Sequence, residues 1–552
     1  MSKRRKHLDV NEPLRHADHP RPSTRREFIR QGFLGGSAYV LGGSVFSLFA
    51  NPNQAMAGVS ADLNDLAANM KQKTCNLTAA AGSMIPFICF DLAGGANLAG
   101  SNVLVGKAGR QDQLLSTAGY NKLGLPGNMI PGLSSAALTT GFSGTVLNPS
   151  ATNNFVNDSL GLWFHQDSAM LFGILEKFPN PTGVDGVVIP ALSDNDTGNN
   201  PHNPMYLLAK AGINGDVVRL IGSQNSDSGG NSMSPAAYMN PEFRPTKVDR
   251  PSDVTGMVDV GDLTAVLSDP ADVTAVMESM ARISHKKIRL NVGRTNPGID
   301  VKRDEVIKDL LECGYLKSAD LANRFAGKSI DPSEDIAIVG PTGIFVSETT
   351  QIGTTGKYTF SDSEFAKTAS VMKMVIDGHA GAGCITMGGF DYHTGDRSTG
   401  ENRDLRAGRC IGACLEYARR SGKPVMIYVF SDGSLNSNGR IDTSANSGNS
   451  LGGRGKGEWT GDNSSTACSY FLVYNPNGSS NIILPAFDGR QIGSFSADGD
   501  VMASSSPAAN NVNLLVNTVV ANYLKLNNMS LDTFVPSHGL GNLANVVAVG
   551  NI

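Results

Sequence analysis

The apolar positions of this chain fall into short, fully hydrophobic runs separated by longer segments in which they recur at helical spacing. Met84-Ile85-Pro86-Phe87-Ile88-Cys89-Phe90 is the first clear run, and it closes on Asp91-Leu92-Ala93-Gly94-Gly95. A short apolar run stopped by glycines predicts a strand buried on both faces of a parallel sheet. The signature returns at 216–222, 384–387, 425–430 and 470–474, and Ile336–Val339 is a further apolar run ending at Gly340-Pro341. Between the runs, the spacing predicts helices over 164–178, 204–212, 361–379, 402–420 and 507–526. Ser361, with Glu364 three residues later, reads as a capping box at the head of one of these helices. Gly422 followed by Pro424 closes the next. Strand–helix–strand alternation of this kind argues for an α/β fold, a mostly parallel sheet flanked by helices.

Two stretches interrupt the alternation. Ser223–Asp253 is rich in Asn, Ser, Gly and Pro and reads as a long loop. The more charged segment after it predicts helices over 270–284, 302–313 and 317–325. The pattern therefore divides the chain into a first part of the α/β domain (58–222), a loop-rich and helical insertion (223–333) and a second part of the α/β domain (334–552).

The N-terminal 57 residues have a different logic. Thr24-Arg25-Arg26-Glu27-Phe28-Ile29-Arg30 resembles a twin-arginine export signal. A weakly apolar stretch, Phe33–Phe49, follows and is diluted by Gly35, Gly36, Gly42 and Gly43. Ala55-Met56-Ala57 then supplies the small-x-small pattern of a signal peptidase site. The apolar stretch is shorter than the roughly 20 residues that a spanning helix needs. The expectation is a cleavable signal with no permanent membrane span, read by the twin-arginine translocase, and a periplasmic or secreted product.

Charge agrees with that partition. Residues 1–57 hold nine Lys/Arg and four Asp/Glu, so a chain of net −4 leaves −9 on the remainder. A mature protein of that sign is not built for nucleic acid. The 63 glycines point to a loop-rich body. Of the seven cysteines, Cys410 and Cys414 sit four apart on an expected helix and read as core residues. No CxxC pair occurs, and a protein folded in a reducing cytoplasm before export is expected not to depend on disulfides.

In open α/β sheets, ligands bind at the carboxyl ends of the strands. Three expected strands end there in glycine-rich loops carrying carboxylates: Asp91, Asp391 with His393, and Asp432. In Gly388-Gly389-Phe390-Asp391-Tyr392-His393 the Asp and His are two apart, so in extended backbone they point the same way and can reach one divalent ion. Carboxylate with imidazole suits zinc, manganese or iron, and calcium on its oxygen side. The plainer alternative leaves Asp391 capping a loop and His393 an ordinary polar residue. Asp91 occupies the position of a nucleophile or first ligand, with Asn97 and Ser101 nearby as oxyanion or nucleophile groups. Gly452-Gly453-Arg454-Gly455-Lys456-Gly457 reads either as an anion cradle or as a flexible loop.

On these motifs the chain resembles the bacterial family called domain of unknown function 1501, whose members are related to the alkaline phosphatase and sulfatase superfamily. Leu92-Ala93-Gly94-Gly95-Ala96-Asn97 resembles its first-strand loop, and Gly388–His393 resembles its Gly-Gly-Trp-Asp-Thr-His motif. Val429–Ser434 falls where the family has a strand ending in Ser-Glu-Phe-Gly-Arg. The resemblance implies an alkaline-phosphatase-like fold and metal-dependent hydrolysis of phosphate or sulfate esters. Asp91 and Asn97 would then be catalytic, and Asp391, His393 and Asp432 would be metal ligands. The chain departs from the pattern at Asn97, at Asp432 and in lacking both the Arg and a downstream His; Glu458, Asp462, His202 or His538 could complete the set. The competing expectation is an envelope binding or assembly factor that keeps the fold without catalysis and partners another exported protein.

Overall fold

Phe87–Leu92 (β1) forms where the first apolar run predicts a strand, and all six of its residues are buried. The computed structural model describes residues 60–68, 84–137, 145–193, 200–258, 269–290, 301–325, 329–448, 450–478 and 482–552. The export signal expected over 1–57 lies outside the described residues. In chain order, α1 (Ala61–Ala68) precedes β1, and α2 (Thr117–Lys122) follows it. A hairpin of β2 (Val156–Leu160) and β3 (Leu162–His165) leads to α3 (Ala169–Lys177) and β4 (Val184–Pro190). Next come α4 (Met205–Lys210), β5 (Val218–Gly222), β6 (Thr246–Lys247) and α5 (Pro251–Val258). The helices α6 (Pro270–Leu290) and α7 (Val301–Phe325) precede a hairpin of β7 (Thr349–Gln351) and β8 (Tyr358–Phe360). Then α8 (Ser363–Ile376), β9 (Ala380–Met387), α9 (Arg397–Ser421) and β10 (Val425–Ser431) alternate. A hairpin of β11 (Leu435–Asp442) and β12 (Lys456–Asp462) is followed by β13 (Cys468–Tyr474) and α10 (Val512–Leu526).

Seven strands make the central sheet in the order β4-β13-β10-β1-β9-β5-β6. β1 sits in the middle, parallel to both β10 and β9, and β9, β5 and β6 continue parallel. Only β13 runs against the rest, pairing antiparallel with β10 and with β4. Because side chains alternate along a strand, β1 splits into two faces. Ile88, Phe90 and Leu92 pack with α3, α8 and α9, whereas Phe87 and Cys89 pack with α4 and α10. The first layer is unusually tight: a Cβ on Gly408 would lie 2.0 Å from the Met170 carbonyl oxygen, and one on Gly412 2.4 Å from that of Ile174. Two glycines four apart on α9 therefore let its backbone rest on α3.

Several sequence expectations shift in place. The helix expected over 164–178 starts late, because His165 ends β3 and Ser168 caps α3 by accepting from the Leu171 N–H. The cap of α8 is Asp362 rather than Ser361; its carboxylate accepts from the Glu364 N–H. The helices expected at 302–313 and 317–325 are one continuous helix, α7. Ile336–Val339 joins no sheet: Asp335 accepts from the Ala337 N–H and folds the run into turns, burying Ile338 and Val339 but leaving Ile336 81% exposed. The 223–253 loop supplies β6 to the sheet edge. Cys410 and Cys414 are buried and free, as read, but Cys313 of α7 is disulfide-bonded. Cys313 lies in a small apolar cluster formed with Leu63 of α1 and residues of α6. Among the described residues, no helix is long and apolar enough to cross a membrane.

Candidate metal centre

The carboxyl ends of β1, β9 and β10 meet beneath three loops. After β9, the chain runs Gly388–His393 with alternating burial: Phe390 and Tyr392 are buried, while Asp391 and His393 face outward. Extended backbone with apolar residues on one side places the two polar ones on the other. The His393 Nε2 lies 2.8 Å from Asp391 Oδ1 and 3.6 Å from Asp462 Oδ2. These three side chains can offer one ligand atom each, all within 4.8 Å of one another. Asp391 is 60%, Asp462 44% and His393 34% exposed, so the group opens to solvent.

Asp462 reaches the group through the β11–β12 hairpin. Leu435, just beyond the end of β10, pairs in register with Asp462, which brings the tip of β12 back to the sheet edge. The Gly395 N–H donates to the Trp459 carbonyl at 2.8 Å and ties the Asp391 loop to the same strand. Gly94 fixes the other side. With φ at +118°, it passes so close to the Asp391 loop that a Cβ there would lie 2.5 Å from the Asp391 backbone nitrogen. Only glycine fits both the conformation and the approach.

Below the outward group lies a closed polar layer. Asp91 is fully buried; its Oδ2 accepts from the Ser232 N–H at 2.7 Å and its Oδ1 from the Ser232 hydroxyl at 3.0 Å. Burial raises its pKa to about 7, the nearby Asp432 charge adds to the rise, and the Ser232 hydrogen bonds oppose it. Asp432 is buried as well. Its Oδ1 accepts from the Gly94 N–H at 2.8 Å and its Oδ2 from the Asn231 amide at 2.9 Å. The Asn200 amide donates to its carbonyl. Asn231 in turn donates its N–H to the Thr386 hydroxyl at the end of β9.

The sequence-predicted residues therefore separate. Asp391 and His393 come together, with Asp462 as the third potential ligand. Asp432 lies one layer in, and it touches the same Gly94 that Asp391 approaches. Asp91 is in that inner layer too. Asn97 is buried elsewhere in its loop: its amide donates to the Leu435 carbonyl and accepts from the Ser101 hydroxyl, and its N–H donates to the Tyr392 hydroxyl. His202 and His538, candidates to complete the ligand set, are both buried. His538 bonds Asp532 and accepts from the Leu540 N–H. His202 stacks on Phe430, neither ring nitrogen has a hydrogen-bond partner, and burial lowers its pKa to about 3. The Gly452–Gly457 run is no open anion cradle, because its Arg454 and Lys456 are buried against Asp167 and Glu401.

Sequence reasoning missed Asn200, Asn231 and Ser232. They sit in segments whose Asn/Ser/Gly composition reads as solvent loop. The available signal was the density of side-chain amides and hydroxyls, which a buried loop needs to satisfy neighbouring carboxylates.

The surface clefts lie away from this group. One of about 820 Å³ is lined by Arg110, Gly489 and Ser505. Another of about 470 Å³ is lined by Asp216, Arg324 and His379, at the amino ends of β5 and β9 and so at the opposite edge of the sheet. The potential ligands themselves open to solvent, with Asp391 and Asp462 more exposed than His393. Compared with known proteins, the chain matches no family model and no curated protein.

Proposed function

We propose that this protein is an exported, metal-dependent hydrolase of phosphate or sulfate esters, with an alkaline-phosphatase-like fold and a metal site at Asp391, His393 and Asp462. The observation that carries the reading is the convergence of those three side chains at the carboxyl edge of a mostly parallel sheet. Two carboxylates and one imidazole fit zinc or manganese, and three protein ligands leave positions open, as catalytic centres require. A bound divalent ion supplies Lewis acidity toward an ester oxygen and a more acidic water. The chain's own residues do the rest. Gly94 and the Trp459 carbonyl hold the Asp391 loop in place. Asp432 is locked by Gly94 and Asn231, so it braces the loop from below. Burial raises the Asp91 pKa to about 7, so this carboxyl, which accepts from Ser232, can take up or release a proton near neutral pH. An open face suits an ester on a large or extended substrate. The twin-arginine translocase delivers the protein to the periplasm or beyond.

One observation favours a second reading, an envelope binding or assembly factor without turnover: Asn97 and Asp432 are engaged in hydrogen bonds that hold loops together. Purified full-length protein decides between them. With zinc or manganese added, an aryl phosphate and an aryl sulfate should be hydrolysed, and His393→Ala should abolish the turnover. A stable complex with another exported protein and no turnover on either ester supports the second reading instead.

A further inference from the structure

Arg403, in the second turn of α9, has an unusual status among the arginines. Its neighbours on that helix are all paired: Arg397 with Glu401, Arg406 with Asp362, and Arg409 with Glu176. Arg219 lacks an ion pair but covers the Phe243 ring. Among the arginines whose side chains are described, Arg403 alone has no ion pair, hydrogen bond or aromatic partner. Its guanidinium nevertheless has a close neighbour. It packs on the bare backbone of Gly389, where a Cβ would lie 3.0 Å from Cζ, 3.1 Å from Nε and 3.2 Å from Nη2. Gly389 has φ at +87° and stands two residues before Asp391 and four before His393. The half-buried side chain therefore lies against the loop that carries two of the three potential ligands.

The charges make this placement useful. Asp391 and Asp462 are both carboxylates, and a divalent ion held by them and His393 would offset their charge. A phosphate ester dianion or a sulfate ester monoanion arriving there can meet a further positive charge, and the permanently charged guanidinium fork matches the paired oxygens of a tetrahedral oxyanion. We propose that Arg403 binds the phosphate or sulfate group of the substrate beside the metal; this rests on the metal-site reading above.

Phosphate and sulfate, with acetate as the planar control, are titrated calorimetrically into the full-length protein loaded with zinc. Arg403→Gln and Arg403→Lys are compared with the parent, and the metal content of each is measured. Arg403→Gln should keep the parent's metal and thermal stability but bind phosphate and sulfate about 10- to 100-fold more weakly. Arg403→Lys should recover part of that loss, and acetate should bind weakly throughout. Phosphate affinity in metal-loaded Arg403→Gln within about twofold of the parent overturns the proposal. If the parent holds no zinc, the metal reading fails, and titration of the metal-free proteins still decides on Arg403. A tenfold loss in Arg403→Gln then supports the anion site, and no loss overturns it.

Discussion

Two groups of buried carboxylates share this α/β body and are compensated in opposite ways. In one, Asp167 meets the Arg454 guanidinium at 2.6 Å, while Glu401 meets Lys456 at 2.8 Å and Arg397 at 2.8 Å. All five residues are buried. Burial works to raise the Asp167 pKa, but Lys456 and Arg454 overcome it and hold the carboxyl below its usual range. In the other, Asp91 accepts from Ser232, Asp432 accepts from Gly94 and Asn231, and burial together with the nearby Asp432 charge raises the Asp91 pKa to about 7. The first arrangement is a closed ionic clamp between the β12 strand, α9 and the loop before α3. The second sets two neighbouring carboxylates one layer below Asp391, His393 and Asp462, the group of described residues that could hold a metal ion. Ionising buried Asp91 beside Asp432 costs stability, and a cation bound above the two would offset part of that cost.

The comparison breaks first if the clamp is not what holds the strand to the helix. Lys456→Met leaves Asp167 and Glu401 short of a cation in the interior, and denaturant unfolding should show a loss of about 3–5 kcal/mol. Gly94→Ala should come next. Backbone strain at positive φ alone costs about 1–3 kcal/mol, and the added methyl pushes on Asp391, so melting temperature and metal retention should fall together. Asp91→Asn sharpens the contrast through pH. The folded Asp91 pKa lies above its unfolded value, so between about pH 4 and pH 7 the native state binds the extra proton. Stability contributed by this group is therefore present at low pH and lost as pH rises toward about 7, with no further loss above that. Unfolding free energies of the parent and Asp91→Asn should diverge across this window, with the variant the more stable at neutral pH. An identical pH dependence in the two proteins removes Asp91 as the group that sets this window. The smallest stability effect is expected at the surface. His393→Ala should change apo-protein stability by less than about 0.5 kcal/mol, in keeping with its exposure.

The central strands were legible because nothing competes with them: Phe87–Leu92, Val425–Ser431 and Cys468–Tyr474 are buried throughout, and burial on both faces writes an unbroken apolar run. The reversed direction of β13 was not legible, since an apolar run carries no sense of polarity. Ile336–Val339 shows the limit of the same signal, because two side chains entering the core from a turn look like a strand. At the site, Asp391 and His393 could be paired from their spacing, as the alternation of Phe390 and Tyr392 against them is local. Asp462 could not be paired with them from local spacing. It arrives through hairpin register with Leu435, a contact between residues far apart in sequence. Ser232 and Asn231 were hidden for the same reason, and Arg403 because an arginine on a helix ordinarily reads as a solvated face.

The metal content of the full-length protein, measured after equilibration with zinc and removal of free ion, tests the account most directly when Asp462→Ala is set beside Asp432→Asn. The account predicts one bound equivalent in the parent, retained in Asp432→Asn and lost in Asp462→Ala. Retention in Asp462→Ala with loss in Asp432→Asn, or no bound metal in the parent, would contradict it.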